Sequence, residues 1–155
     1  MNNNEQLLHH FYTSFQQKDV EAMQNSYADN ATFNDPAFGD LNALQVRSMW
    51  EMLVGSSRDM VITFGQIKAD EKTGTAEWIA SYTFSGTGNK VINKVKASFI
   101  IENGKIIRHQ DHFNFYTWSR QALGLSGLLL GWTSFLKNKV RKTATGKLQK
   151  YMAAS

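Results

Sequence analysis

Three residues of this chain have the type and spacing for acid–base chemistry: Asp111, His109 and Asp35. Residues 105–116 follow Asn103-Gly104, a dipeptide suited to a two-residue hairpin turn because both central positions take positive φ. The segment then alternates like a strand. Ile107, His109, Asp111, Phe113 and Phe115 share one face; Arg108, Gln110, His112 and Asn114 share the other. The first face sets a carboxylate and an imidazole among large apolar side chains. A carboxylate placed there is costly unless it is paired or protonated. Desolvation also raises its pKa toward neutrality, which suits a group that removes a proton next to a carbonyl.

Asp35 supplies a second carboxylate. It lies in Asn34-Asp35-Pro36, on the same face of a short predicted strand as Phe33. An aspartate before proline also commonly bonds the backbone of its own turn, so a purely local role stands beside the chemical one. His109 has three readings: it orients Asp111, polarises a substrate carbonyl, or is simply a satisfied interior histidine. No metal site is expected. His9 and His10 are adjacent on a helix and point apart, while His109 and His112 alternate across a strand. The chain contains no cysteine, which excludes a disulfide framework, a thiol nucleophile and a cysteine zinc site.

Helices and strands must position these groups. Residues 5–16 read as a helix with Leu7, Leu8, Phe11 and Phe15 on one face and Asn3 or Asn4 as cap. Asp19 caps a second short helix with Val20, Met23 and Tyr27 inward. Residues 31–35 form a strand that Pro36 ends. A third helix covers residues 41–53, with Leu44, Val46, Met49, Trp50 and Leu53 apolar and Gly55 as its stop. Strands follow over residues 60–68, 75–84 and 91–102, joined by close turns, and the 105–116 strand completes an antiparallel meander. Helices followed by a run of strands make an α+β fold with the helices on one face of the sheet.

The charge is divided unevenly. Residues 1–117 hold ten basic against thirteen acidic residues; residues 118–155 hold seven basic and no acidic residue. This separates a main body, 1–117, from a basic C-terminal extension, 118–155, expected to pack on the same domain. Within the extension, Gly124, Gly127 and Gly131 break the chain. Leu136, Val140, Ala144, Leu148 and Met152 then recur four apart on a helix over residues 133–152. Its basic face is most simply a solvated one. Contact with an anionic membrane surface, helped by Leu128-Leu129-Leu130 and Trp132, is a further reading. Nucleic acid is not an expected partner, because no aromatic–basic interleaving accompanies the charge. The N-terminus lacks the pattern of a signal peptide, so a cytoplasmic location is expected.

The order helix, Lys18-Asp19, helix, Tyr27-Ala28-Asp29-Asn30-Ala31-Thr32-Phe33, Asp35-Pro36, helix and then Arg108-His109-Gln110-Asp111 resembles the nuclear transport factor 2-like superfamily and its SnoaL-like proteins. The resemblance covers residues 5–117. It implies a cone, in which a strongly curved antiparallel sheet wraps the N-terminal helices around a deep apolar pocket, and a homodimer formed through the sheet. It places Asp35 where ketosteroid isomerases carry their general base and Asp111 where SnoaL-type cyclases carry their acid/base aspartate. The isomerase's oxyanion donors are absent, since Phe11 and Ala97 fall at those positions and Tyr12 is one residue off. The implied ligand is a small apolar carbonyl compound, bordered by Phe15, Phe33, Trp50, Trp78, Tyr82, Phe99 and Phe113, with proton transfer needing no cofactor. The alternative is a non-catalytic module that binds a ligand or a protein.

Overall fold

The computed structural model describes residues 1–155. Helix α1 (Asn3–Gln16) begins where the side chain of Asn2, one residue earlier than either expected cap, accepts the Glu5 N–H. It buries Leu8, Phe11, Tyr12 and Phe15. Helix α2 (Val20–Asn25) is capped by Asp19, as its sequence predicts, and buries Met23. Helix α3 (Ala43–Ser56) starts later and ends later than expected. Asn42 and Gln45 form a reciprocal capping box at its start, and Gly55 lies inside the helix rather than stopping it. Leu44 is 68% exposed, contrary to expectation. The helical period explains this. Val46, Met49, Trp50 and Leu53 cluster within an arc of about 100°, and Leu44 falls on the opposite side. Leu41 is in a strand.

The sheet has six strands in the order β2-β1-β6-β5-β4-β3 and is curved and open. Strands β3 (Val61–Ala69), β4 (Thr73–Thr83), β5 (Lys90–Glu102) and β6 (Lys105–His112) form the antiparallel meander that the turns predict. Two features depart from expectation. Strand β1 (Tyr27–Asp35) begins four residues early and runs parallel to β6. Strand β2 (Gly39–Asn42) forms a tight hairpin with β1, which requires positive φ at Gly39. Tyr27 is therefore a strand residue, not the last inward residue of α2.

Strand β6 also corrects the predicted alternation. Ile101 pairs with Ile106 and Ile100 with Arg108, so Ile107 is the extra residue of a β-bulge. The bulge turns Ile106 into the core and leaves Ile107 half-buried, after which His109 and Asp111 face inward as expected. The strand stops at His112. Asn114 then caps helix α4 (Phe115–Leu123) by accepting the Thr117 N–H, which makes Phe115 a helical residue. Phe115, Trp118 and Ala122 pack with Val91 of β5 in a small second cluster.

Gly124, at φ +64°, separates α4 from α5 (Leu125–Leu130). Gly127 lies inside α5, not at a break, and is packed so closely that a Cβ would overlap the Ser119 carbonyl. Helix α6 (Ser134–Ala154) packs the predicted stripe on the body. Leu136 and Leu148 are buried, and Leu148 with Ala144 and Met152 joins the main core. That core fills the space between α1, α3 and the inner face of the sheet. No helix is long and apolar enough to cross a membrane.

Candidate active site

His109 and Asp111 project from β6 into the main core, where they are 1% and 3% exposed. His109 Nε2 lies 2.8 Å from Asp111 Oδ1. His109 Nδ1 lies 2.8 Å from the Tyr27 hydroxyl, which accepts the Trp50 indole N–H at 2.9 Å. On the other side, the Trp78 indole N–H reaches Asp111 Oδ1 at 3.4 Å. One protonation pattern uses every donor in this chain. Tyr27 donates to Nδ1, and a neutral imidazole donates from Nε2–H to the carboxylate. An imidazolium would leave the Tyr27 proton without an acceptor. Burial holds Tyr27 well above the ordinary phenol range; against it the Trp50 bond lowers the value, and the smaller effects of the Asp111 charge, which raises it, and the Arg47 charge, which lowers it, follow. It therefore remains a neutral donor.

The parallel pairing of β1 with β6 decides where Asp35 sits. Phe33 is opposite His109 and Asn34 opposite Gln110, so the next step of that register sets Asp35 beside Asp111. Both side chains are on the inner face. Burial raises the Asp35 carboxyl to about 7. The Phe38 N–H lowers it, the Asp111 charge raises it, and the Ala37 N–H and Arg141 guanidinium lower it further. Asp35 Oδ1 accepts from Ala37 N at 2.9 Å and Phe38 N at 2.5 Å, so the local turn role and the perturbed carboxyl coexist. Arg141 arrives from α6, outside the main body. Its Nη2 donates to the Pro36 carbonyl at 3.3 Å, while its Nε is buried without a partner against Gly39.

Removing the Asp111 charge should lower the midpoint of Asp35. A carbon-13 titration of Asp111→Asn is expected to move the Asp35 carboxyl midpoint downward from near 7, by about one unit for a neighbouring like charge. An unchanged midpoint would show that the two acids do not interact.

The seven aromatic residues expected around a ligand divide into two groups. Phe15, Phe33, Trp50, Trp78 and Phe99 are buried and pack against one another and against His109. Tyr82 and Phe113 are half-buried and bridge the main core and the α4 cluster. The Tyr82 hydroxyl accepts the Trp118 indole N–H at 2.9 Å, and its own proton has no acceptor in the chain. Burial raises its pKa, the Trp118 bond lowers it, and the Asp35 charge raises it. Tyr12 holds a second uncommitted hydroxyl, buried without a partner. Two concavities open at the margins of these groups, Tyr27 bordering the first and Trp78 the second. One of about 510 Å³ is lined by Arg47, Lys105 and the start of β1; another of about 340 Å³ lies on the outer sheet face around Glu77 and Lys96.

The sequence singles out Asp35, His109 and Asp111, and beside them the structure places Tyr27, bonded to His109, and Arg141, near Asp35, which the sequence does not mark. Tyr27 sits at helical spacing from Val20 and Met23, which masked its strand position, and Arg141 stands among other basic residues of a solvated-looking face.

Residues 8–109 match the SnoaL-like domain family. No curated protein matches the chain. Its fold is shared with an NTF2-like protein of unknown function from Burkholderia pseudomallei K96243, at 17% identity and TM-score 0.67 over 78% of this chain and 98% of that one. It is shared also with a candidate polyketide cyclase from Xanthomonas campestris pv. campestris, at 17% identity and TM-score 0.65 over 77% and 96%. An LEH-like epoxide hydrolase of M. tuberculosis is similar too, at 16% identity and TM-score 0.64 over 86% and 95%.

Proposed function

Because the chain belongs to the SnoaL-like domain family, we propose that it binds a small apolar carbonyl compound and catalyses cofactor-free proton transfer of the isomerase or cyclase type. What supports this reading is the register of β1 against β6, which pairs Asn34 with Gln110 and so directs Asp35 toward Asp111 on the inner face, where Asp35 feels the Asp111 charge. Asp35 is the acid/base. Its carboxyl sits near neutrality and is only half-buried, so it can both reach a substrate and exchange its proton at physiological pH. Asp111, held by His109, acts on it through charge.

In the proposed step, the Asp35 carboxylate takes a proton from the carbon beside the carbonyl. The developing enolate oxygen accepts a hydrogen bond from Tyr82, whose hydroxyl Trp118 orients. The protonated Asp35 then returns the proton to the same or a neighbouring carbon. Tyr82 thus takes the place of the donors that the isomerase pattern lacks.

A second reading has its own support. The interior around His109 is filled by aromatic rings, which favours a non-catalytic binding module. Incubation in heavy water with a panel of aromatic and polyketide-like ketones distinguishes the two. Deuterium should enter next to the carbonyl, with the rate falling about 10²–10⁴-fold in Asp35→Asn and about 10²-fold or more in Tyr82→Phe. Ketones that raise the melting temperature without exchanging would favour the binding module. If no ketone binds, the small-molecule reading fails.

A further inference from the structure

We propose that the α5 segment, residues 125–135, is an anchor that inserts into the surface of an anionic lipid bilayer. Six large apolar side chains of this segment are exposed: Leu125, Leu128, Leu129, Leu130, Trp132 and Phe135, with Trp132 at 76%. Single exposed apolar residues are ordinary, but a contiguous group this large marks an interaction surface.

The segment is built to present them. Its small residues face the body, where Gly127 lies against the Ser119 carbonyl and Gly131 against the Ser119 side chain. A Cβ at either position would force α5 away from α4. The leucines therefore point outward because the glycines point inward. Two side-chain bonds hold the middle of the segment, one from α4 and one from within. The Tyr116 hydroxyl donates to the Leu128 carbonyl at 3.0 Å, and the Trp132 indole N–H donates to the Leu129 carbonyl at 3.0 Å. The second bond satisfies the only polar atom of the Trp132 side chain locally.

Geometry and charge select the occupant. Leu128, Leu129 and Leu130 are consecutive, and at about 100° per residue they sweep roughly 200° around the helix. A folded partner covers one side of a helix, whereas fluid acyl chains cover such an arc. Residues 118–155 carry seven basic and no acidic residues. Arg120 precedes the segment and Lys137, Lys139 and Lys142 follow it in the first turns of α6, all exposed and free to meet an anionic headgroup layer. A tryptophan among leucines, rimmed by lysine and arginine, is the composition of an in-plane interfacial element.

Flotation of the full chain with vesicles tests the inference. It should float with vesicles of phosphatidylserine and phosphatidylcholine, float less with phosphatidylcholine alone, and be released as salt screens the headgroups. Trp50, Trp78 and Trp118 are buried, so a shift of emission to shorter wavelength on binding reports Trp132. The double variant Leu128→Ser, Leu129→Ser should lose at least about tenfold in partitioning with unchanged circular dichroism. Failure of the parent chain to float, or equal flotation by the variant, would overturn the proposal. A parent dimer that the variant converts to monomer, with neither floating, would assign the surface to a second copy of the chain instead.

Discussion

Replacing His109 with alanine is expected to lower the free energy of unfolding by about 3–5 kcal/mol, read as a shift of the urea midpoint without a change of slope. Two costs add. The ring is in contact with Phe99 at 4.4 Å between centroids and with Phe33 at 5.0 Å, so its loss opens a cavity among rigid aromatics. It is also the middle of a polar chain. Without it, Asp111 keeps only the 3.4 Å contact from Trp78, and the Tyr27 proton loses its acceptor. An unpaired buried carboxylate is the larger penalty, because charge in the interior is tolerated only where it is paired. Combining His109→Ala with Asp111→Asn should therefore cost less than the sum of the two single changes. A loss below about 1 kcal/mol for His109→Ala would mean that water enters and solvates Asp111, and that the core around it is looser than its packing indicates.

Why His109 and Asp111 were legible in sequence while Tyr27 was not follows from the range of the signals. Alternation is local, and it carried both residues to the inner face. It also misplaced Ile107, because a bulge leaves no mark in the pattern of apolar residues. The correct facing of His109 survived because the bulge lies upstream of it. Tyr27 required knowledge of a parallel strand pair joined through most of the chain, and no spacing within β1 or β6 encodes that pairing. The same register, ending at Asn34 and Gln110, directs Asp35 toward Asp111. Their juxtaposition is a property of topology, not of either motif.

The tail divides in the same way. Its leucine stripe at four-residue spacing predicted the packed face of α6. The glycines of the tail look like breakers in sequence, because backbone freedom is the usual reason for a glycine. Gly127 and Gly131 instead give α5 a close approach to α4, and only the neighbouring Ser119 reveals it. Arg141 likewise looks like one more cation of a solvated face until β2 and its Gly39 turn are placed against it.

Asp35 carries the sharpest expectation for pH. Its carboxyl titrates near 7 in the folded chain, against an ordinary value of 3.8. Between those values the native state holds a proton that the unfolded chain has released. Stability must then fall as pH rises through that window, and level off above it. The unfavourable charge amounts to about 2–4 kcal/mol at pH 8, allowing for the partial exposure of the group. Asp59 and Asp70 act in the opposite sense. Their carboxyls are held below the ordinary value by hydrogen bonds, so their contribution is lost as pH falls. Total stability thus mixes both slopes, and the difference between the parent and Asp35→Asn isolates one. Asparagine keeps an oxygen for the Ala37 and Phe38 N–H groups but cannot ionise. The variant should match the parent near pH 4 and exceed it by that same 2–4 kcal/mol near pH 8. Parallel stability curves would place the Asp35 midpoint near its ordinary value and remove the case for it as an acid/base. Divergence would mean that the chain retains a charge that weakens its own fold, at the position where near-neutral proton transfer needs one.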